Sequence, residues 1–476
     1  MRNLSTLAWR VYDAPTKPWH GVVADTEGDD SVYVMRVERR DGVSQLTLAH
    51  ITPTGTEELA VLEVASAPPH VPDVADFRLL ADGGSSVNHT PAICVIGSGG
   101  DIVLMPVDEE ASAPAEVVGS VDQGILAAAW SPEEDVLVLI TGGEKRLIVM
   151  TREFEVMSET MLSTEAFGDD QPVNVGWGSK STQFHGSEGK QAAVAAANAP
   201  EENDPRGPLV PEDDGLPRIS WRGDGAFFVT SSAEASNDTV HRILRTYTRT
   251  GTLSATSDRS VRGISHVLAC RPTGNLIATT QRMGGPWAPG RHGRHDVVFF
   301  ERNGLRHGEF SLREEHGSVP DVPGVSAEPL PPWSCEHQIR LVSWNADGSV
   351  LAVVLQRAGL HVLQLWMSGN YHWYLKHEST YEHLHAMTWH PEQPLTWYVS
   401  HARVEKRTMC LETACSRGMP PHDAACASVV DGHMLYLTPF RLQNVPPPMC
   451  AVAIVDTPQH TVPHVPPATP VHVAWT

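Results

Sequence analysis

Three short stretches of the chain carry residue types that could take part in chemistry, and the first suggests a phosphate site. Residues 186–190 read GSEGK, a glycine-rich run that ends in lysine. A P-loop needs four residues between its glycines and a serine or threonine after its lysine. Here two residues separate Gly186 from Gly189, and Gln191 follows Lys190. The spacing therefore predicts a structural loop rather than a nucleotide site.

The second stretch is a concentration of histidines that could suggest a metal site. Its members are His372, His377, His383, His385 and His390. A metal site needs about three such side chains to converge with fixed geometry. On a strand, His383 and His385 point to one face, whereas the others fall on separate strands and turns. We therefore expect solvated or hydrogen-bonded histidines, and no metal or other cofactor.

The third stretch, RHGRH at positions 291–295, is basic within an acidic chain and predicts a solvated loop tip rather than an anion site. No G-x-S-x-G nucleophile elbow is present in the sequence. In YHWYLK (371–376), alternate side chains face the neighbouring sheet. This pattern places Trp373 in the core and leaves Tyr374 open between the core and an exposed aromatic patch.

A repeated β element must position these residues. About every 45 residues, a short apolar strand ends in an aromatic or sulfur-containing residue, and a polar turn and a second apolar run follow it. The anchor residues are Trp130, Trp221, Cys270, Trp344 and Trp389. A period of this size is typical of β-propeller blades, which must stack around an axis to bury both faces.

The clearest blade lies between residues 341 and 376, where LVSW, VLAVVL, HVLQLW and YHWYLK alternate with turns. Gly348 and Gly369 stand where the turns are expected to need positive φ. Counting such units predicts an all-β fold, a seven-bladed WD-repeat-like propeller over residues 1–450. We expect the seventh blade to begin at His383 and to take its later strands from VVDGHMLYLTPF (429–440). The N-terminal strand LSTLAWRVY (4–12) is available to close the ring.

Two segments stand outside this count. Residues 163–217 are predicted to be an inserted loop that runs through the acidic, proline-rich stretch APEENDPRGPLVPEDDG. We expect the acidic stretch, residues 199–215, to be a mobile loop, and we expect deletion of residues 201–214, which has too few apolar residues to belong to a core, to leave stability nearly unchanged. Residues 451–476 are predicted to be a proline-rich linker, and their last letters, VHVAW, resemble the first strand of a truncated second propeller.

Composition limits the classes of function. The 476 residues carry 35 basic and 57 acidic side chains, a formal net charge of −22, which repels nucleic-acid phosphates. The sequence contains no membrane-length apolar run and no secretion leader. Seven cysteines without a C-x-x-C pair indicate free thiols in a reducing compartment. We expect a soluble protein of the cytoplasm that also occurs in the nucleus.

The sequence also resembles a known family. VNVGWGSKSTQFHGSEGKQAA (173–193), PRISWRGDGAFF (217–228) and LQLWMSGNYHWYLK (363–376) are similar to stretches of the largest subunit of the Elongator complex, also called the IKAP family. The resemblance covers roughly residues 1–450, in the same order. It implies a propeller scaffold in a complex that modifies wobble uridines of tRNA, and no enzymatic activity of this chain.

The resemblance also implies partners. These are the other Elongator subunits, including a catalytic subunit with a radical SAM and acetyltransferase-like core and a second propeller subunit, with tRNA reached only through the complex. The family's dimerisation region and its tRNA-contacting segment are not in this sequence. The residues implied in partner binding are Gln183, Phe184, His185, Gly186, Ser187, Glu188, Gly189, Lys190, Tyr371 and Tyr374.

Two other interpretations stay open. A free-standing propeller adaptor could grip a peptide on its top face, and a propeller enzyme could hold a site in its central channel. The family-like motif QFHGSEGKQAA favours the scaffold over the adaptor, which would not need it. An enzyme would need ionisable groups converging near the axis, and the sequence indicates no such set.

Overall fold

The structure is a computed structural model. It describes residues 2–12, 17–26, 28, 30–40, 42–81, 91–107, 115–162, 207–236, 239–258, 261–290, 292–312, 338–357, 359–442 and 451–456. All regular secondary structure in these ranges is β-strand, which confirms the all-β prediction. Within the same ranges, no helix has the length and apolar character needed to cross a membrane.

The strands form four-stranded antiparallel sheets in two compact units. One unit comprises Met1–Glu38, Gln45–Glu63 and Leu312–Thr476. Its strands are β1 (Asn3–Tyr12), β2 (Gly21–Ala24), β3 (Val32–Arg40), β4 (Val43–Thr52), β5 (Gly55–Ala65), β22 (Gln338–Trp344), β23 (Leu351–Arg357), β24 (Leu360–Gly369), β25 (His372–Tyr381), β26 (Ala386–Trp389), β27 (Thr396–Ser400), β28 (Val404–Glu412), β29 (Ala414–Cys415), β30 (Cys426–Asp431), β31 (Met434–Pro439) and β32 (Ala453–Asp456), with residues 39–44 of β3 and β4 assigned to the other unit.

The second unit comprises Arg39–Ser44 and Val64–Ser311. Its strands are β6 (Val74–Leu80), β7 (Ala92–Gly97), β8 (Asp101–Pro106), β9 (Glu116–Ser120), β10 (Ile125–Trp130), β11 (Val136–Thr141), β12 (Arg146–Thr151), β13 (Val156–Met161), β14 (Arg218–Trp221), β15 (Phe227–Ser236), β16 (Thr239–Thr248), β17 (Leu253–Thr256), β18 (Ala269–Cys270), β19 (Ile277–Arg282), β20 (His295–Phe300) and β21 (Arg306–Ser311). They form four sheets in chain order, β6–β9, β10–β13, β14–β17 and β18–β21.

The N-terminal strand completes a sheet that is otherwise formed late in the chain. The order of this sheet is β1-β28-β27-β26, with Asn3 opposite Glu412 and Tyr12 opposite Val404. The predicted pairing of the N-terminal strand with the seventh repeat unit is thus confirmed. In every other sheet the strands follow one another in chain order.

One strand assignment was wrong. The segment VVDGHMLYLTPF (429–440) was expected to complete the seventh blade, but β30 and β31 pair with each other and with β29 and β32 in a separate sheet. That sheet spans residues 414–456, so the boundary predicted after residue 450 falls between two of its strands. The number of blades in a closed ring stays a prediction.

The predicted anchors lie at the ends of the first strands of their sheets. Trp130, Trp221, Cys270, Trp344 and Trp389 are the last residues of β10, β14, β18, β22 and β26. The first four are buried, and Trp389 is partly buried. Four of the five anchors are therefore core residues at the ends of the first strands of their sheets.

Three anchors also hydrogen-bond to the preceding sheet in the same way. Trp221 Nε1 donates to the carbonyl oxygen of Ala129 at 3.2 Å, one residue before the preceding anchor. Cys270 Sγ donates to the carbonyl of Ser220 at 3.3 Å. Trp389 Nε1 donates to the carbonyl of Ser343 at 3.4 Å. Each contact repeats the same register between consecutive sheets.

Central strands bury both faces, which explains why the repeat units are continuously apolar. In β11, Leu137 and Leu139 pack in the cluster that contains Trp130. The alternate residues, Val136 and Val138, pack in the cluster that contains Trp221. Because side chains on a strand alternate between faces, a strand between two neighbouring sheets is apolar at nearly every position.

Candidate functional site at the β25–β30 joint

The structure separates the residues that the sequence predicted for partner binding. Eight of them lie outside the described residues, namely Gln183, Phe184, His185, Gly186, Ser187, Glu188, Gly189 and Lys190. The other two, Tyr371 in the turn before β25 and Tyr374 within β25, are in opposite environments. Tyr371 is fully exposed, whereas Tyr374 is 0 % exposed.

Tyr371 lies at the tip of a two-residue turn between β24 and β25. Gly369 pairs with His372, and the two residues between them, Asn370 and Tyr371, have φ of 50° and 61°. Two consecutive positive φ values define a type I′ hairpin turn, which normally prefers Asn followed by Gly. Gly369 itself is not in the left-handed region, contrary to expectation, whereas Gly348 is, with φ of 68°. A bulky side chain is thus held in a costly backbone conformation and presented to solvent.

The possibility that Tyr374 forms part of an exposed aromatic patch is excluded by its burial. Its side chain packs in a cluster with Val429, Met434 and Tyr436, which belong to the sheet β29–β32. The three other buried members of this cluster come from β30 and β31, which the sequence predicted in a different sheet. Tyr374 therefore binds a neighbouring sheet of its own chain.

A buried lysine lies two residues farther along β25. Lys376 is 1 % exposed, and its Nζ donates to the carbonyl oxygen of Val430 at 2.8 Å and to Asn3 Oδ1 at 3.3 Å. Its ammonium group also lies 4.8 Å from the ring centre of Tyr374. Burial lowers the pKa of Lys376 to about 7, although the nearby charge of Asp431 acts in the opposite direction.

Asn3 and Asp431 complete this contact. Asn3 Nδ2 donates to the carbonyl of Ser428 at 3.0 Å, and Asn3 Oδ1 accepts from the amide of Val430 at 2.9 Å, so its side chain pairs with β30 as a strand residue would. Asp431 is fully buried, and its Oδ1 accepts from the amide of Leu375 at 2.9 Å.

We call the set Asn3, Tyr374, Lys376 and Asp431 the β25–β30 joint. Its four residues come from β1, β25 and β30 and combine an apolar contact with buried polar groups that are hydrogen-bonded to backbone atoms. The sequence did not indicate three of them, Asn3, Lys376 and Asp431. The only signals available were a lysine in an apolar strand and an aspartate at a strand end, neither of which identifies a partner.

Three of the histidines between positions 372 and 390 make separate hydrogen bonds, whereas the ring centres of His383 and His385 lie 6.4 Å apart. His372 Nε2 lies 3.3 Å from Asp431 Oδ2, His377 Nε2 lies 2.7 Å from the Ser379 hydroxyl, and His390 Nδ1 accepts from two backbone amides. These bonds confirm the hydrogen-bonded interpretation for three of the five. The solvated-loop prediction for residues 291–295 is wrong at His295, which is 0 % exposed and bonded to Glu212 at 2.6 Å.

Within the described ranges, one group of three metal-ligand residue types has its atoms within 4.8 Å of one another: Asp213, Asp214 and His266. Both carboxylates already pair with arginines. Asp213 receives two hydrogen bonds from Arg242, and Asp214 pairs with Arg218. Each of the two carboxylates therefore has an arginine as its partner in the chain.

Buried ion pairs also contradict the prediction of a mobile acidic loop. The contradiction concerns the part of the loop that the structure describes, residues 207–217. Glu212 accepts from Arg282 at 3.0 Å, and both side chains are nearly inaccessible to solvent. Burial alone would raise the pKa of Glu212, but the hydrogen bond from His295 and the charge of Arg282 outweigh it and lower the pKa. Together with the pair between Asp213 and Arg242, this fixes the segment to β16, β19 and β20.

Comparison with known proteins supports the fold and the sequence resemblance. A family model described as "ELP1 first N-terminal beta-propeller" matches residues 1–392, and one described as "ELP1 N-terminal second beta-propeller" matches residues 429–460. The second match overlaps the sheet β29–β32. The β-propeller predicted from the repeat is confirmed by these matches and by the series of four-stranded sheets.

Named relatives agree with the family models. Elongator complex protein 1 of Mus musculus is 35% identical, over 96% of this chain and 31% of that protein. The proteins of the same name from Schizosaccharomyces pombe and Saccharomyces cerevisiae are each 35% identical, over 75% and 74% of this chain and 26% of their own lengths. The chain thus spans between about a quarter and a third of these relatives.

A solved structure shows the same fold at low identity. Chaetomium thermophilum Raptor superposes with a TM-score of 0.50 and 10% sequence identity, covering 88% of this chain and 29% of that one. At this identity the likeness concerns the fold alone.

Proposed function

The chain belongs to the Elongator complex protein 1 family, and we propose that it serves as a non-catalytic scaffold of the Elongator complex. In this role it supports modification of tRNA wobble uridines through protein–protein contacts. The name of the relatives supports membership in the complex, and the propeller fold supports a role in presenting surfaces to partners. Localisation in the cytoplasm and the nucleus is part of the same proposal.

The observation that carries the proposal is the exposed Tyr371. A tyrosine at positive φ costs stability compared with glycine or asparagine, which occupy that region readily. No described contact within the chain offsets this cost, because the side chain is fully exposed. Tyrosine is enriched among the residues that dominate binding energy at protein interfaces. We therefore assign Tyr371 to a contact with another Elongator subunit.

Catalysis is assigned to another subunit. The buried carboxylates Glu212, Asp213 and Glu234 each pair with a buried arginine, an arrangement that neutralises them. Such pairs act in stability rather than as acids or bases poised for reaction. The formal charge of −22 further favours an indirect route to tRNA, through more basic parts of the complex.

Co-purification of this chain with the catalytic subunit and the second propeller subunit tests the proposal. We expect the wild-type chain to be retained, and we expect Tyr371→Asn, which suits the turn, to weaken retention at least tenfold while raising the thermal midpoint. Met419→Ala removes another exposed side chain and serves as the control. Full retention of Tyr371→Asn would contradict the assigned contact. Loss of all co-purification by the wild-type chain would contradict the scaffold role.

A further inference from the structure

A polar cavity of about 360 Å³ lies beside the connection from β2 to β3, at the end of β26. It is separate from the β25–β30 joint and from Tyr371. Its size is near the lower end of the range for ligand pockets, which suits one side chain or a small molecule. The groups that decide its chemistry belong to Asp25, Asp30, His390, Glu392, Tyr398 and Lys406.

The charges that line the cavity are predominantly negative. Asp25, Asp30 and Glu392 contribute three carboxylates, against two cations, Lys406 in the lining and Arg10, which both pair with Asp30. The hydrogen bond from Lys406 and the charge of Arg10 lower the pKa of Asp30, so this carboxylate is ionised at neutral pH. An anionic ligand would therefore meet repulsion from most of the lining.

His390 adds no positive charge to this balance. Burial lowers its pKa, and its Nδ1 accepts hydrogen bonds from the amides of Glu392 and Gln393, each at 3.1 Å. The ring is therefore neutral at pH 7 and carries its proton on Nε2. The cavity keeps an excess of negative charge.

The hydroxyl group of Tyr398 points to a missing ligand. Tyr398 is 1 % exposed and lines the cavity, yet its hydroxyl makes no hydrogen bond to any part of the chain that the structure describes. Burial, followed by the nearby Tyr12 and the negative charges of Asp30 and Asp25, raises its pKa, so it is a neutral phenol. Asp25 already accepts from Ser31 and the Gly28 amide, and Asp30 pairs with Lys406 and Arg10. A ligand with several N–H donors would therefore satisfy the Tyr398 oxygen together with the exposed carboxylate of Glu392.

We propose that this cavity binds a guanidinium or primary ammonium group. A guanidinium offers five N–H donors in a fixed plane, enough to pair with the Glu392 carboxylate and still donate to the Tyr398 oxygen. The group could be carried by an arginine or lysine of a partner protein or by a free polyamine, which present the same chemistry. The site does not depend on the contact assigned to Tyr371.

The probes are a pentapeptide with one central arginine and blocked ends, its citrulline counterpart, spermidine and magnesium chloride. Binding is measured by ligand-observed NMR at millimolar concentrations. We expect the arginine peptide to bind and the citrulline peptide, which lacks the charge, to bind at least tenfold more weakly. Binding of spermidine alone would support the same chemistry and identify a free polyamine as the source.

Substitutions locate the site. We expect Tyr398→Phe, which keeps the ring in its core position, and Glu392→Gln, which removes an exposed charge, each to weaken binding at least fivefold. Glu309→Gln removes an exposed carboxylate elsewhere and should have no effect. Equal binding of the arginine and citrulline peptides, unchanged affinity in both cavity variants, or saturation by Mg²⁺ alone would overturn the proposal.

Discussion

At the scale of single residues, Lys376 is a group whose chemistry the fold changes strongly. An ammonium group is costly to bury unless it is fully hydrogen-bonded or gives up its proton. Lys376 has two acceptors, Val430 and Asn3, and a pKa lowered to about 7 by burial. In the folded chain it therefore titrates near neutral pH, whereas in the unfolded chain it keeps its proton up to about pH 10.5, the ordinary pKa of a lysine.

This difference predicts how stability depends on pH. Between about pH 7 and 10.5 the unfolded chain binds the lysine proton and the folded chain does not, so the contribution of Lys376 to the free energy of unfolding increases with pH. The slope should approach about 1.4 kcal/mol per pH unit. Below pH 7 both states are protonated and the contribution is constant.

Urea unfolding of the wild type and Lys376→Met at pH 7, 8 and 9 measures this contribution. We expect the wild type to gain stability relative to the variant as the pH rises. Lys17→Met, at an exposed position, is the control and should follow the wild type. Parallel curves for the wild type and Lys376→Met would show that the buried lysine does not titrate in this range.

At the scale of elements, three of the anchor residues, Trp221, Cys270 and Trp389, connect consecutive sheets by packing and by a hydrogen bond. The sequence predicted the anchors, since an aromatic residue at the end of an apolar strand is a local pattern. It could not predict the hydrogen bond from Trp221 to the carbonyl of Ala129, which lies 92 positions earlier in the chain. This bond depends on how two neighbouring sheets are offset from each other. Local periodicity determines strands, but it does not contain the register between sheets.

Two substitutions of Trp221 separate the parts of this contact. Trp221→Phe retains most of the apolar area and loses the hydrogen bond, so we expect a cost of about 1 kcal/mol in the free energy of unfolding. Trp221→Ala also leaves a cavity and should cost about 3 to 5 kcal/mol. Chemical denaturation of both variants measures these values. An equal loss in both would show that packing contributes little and the hydrogen bond dominates.

The segment 207–217 shows how composition can mislead. Acidic residues among prolines predicted a mobile loop because such segments usually lack apolar residues to bury. The structure instead pairs Glu212 and Asp213 with Arg282 and Arg242, which lie in strands β19 and β16. Nothing near either arginine in the sequence shows that it is buried or which carboxylate it meets.

Adjacent aspartates provide a matched test of this correction. The side chains of Asp213 and Arg242 are 0 % and 1 % exposed, so Asp213→Ala leaves a buried guanidinium unpaired, and we expect it to cost about 3 to 5 kcal/mol. Asp214 and Arg218 are both about one-third exposed, and Asp214→Ala should cost less than about 1 kcal/mol. Urea denaturation distinguishes the two. Equal, small losses would support the original prediction of a mobile loop.

At the scale of the whole molecule, the main departure from prediction is the sheet β29–β32. The repeat pattern predicted the propeller, and it placed β1 beside the last of its repeat units. It also assigned β30 and β31 to the wrong sheet, because a strand's periodicity is the same in whichever sheet it pairs. The contacts that determine which sheet these strands join connect residues far apart in the chain. Asn3 and Val430, for example, are separated by 427 positions.

The β25–β30 joint predicts that the rest of the chain depends on this sheet. A chain that ends after Glu412 lacks every partner of Tyr374 in its apolar cluster, and burial of one large side chain is worth about 1.5 to 3 kcal/mol. It also exposes Lys376, whose pKa should then return toward 10.5. We therefore expect a lower thermal midpoint and loss of the pH dependence assigned to Lys376.

A chain that ends after Asp456 is the matched control, because it keeps all four strands of the sheet. It should unfold at the same temperature as the full chain and retain the pH dependence. Thermal unfolding of both truncated chains at pH 7 and pH 9 makes the comparison. If the shorter chain had the same thermal midpoint as the longer one at both pH values, the β25–β30 joint would contribute little to stability. The buried lysine would then need another explanation, since its burial depends on Val430 and Asn3 lying against it.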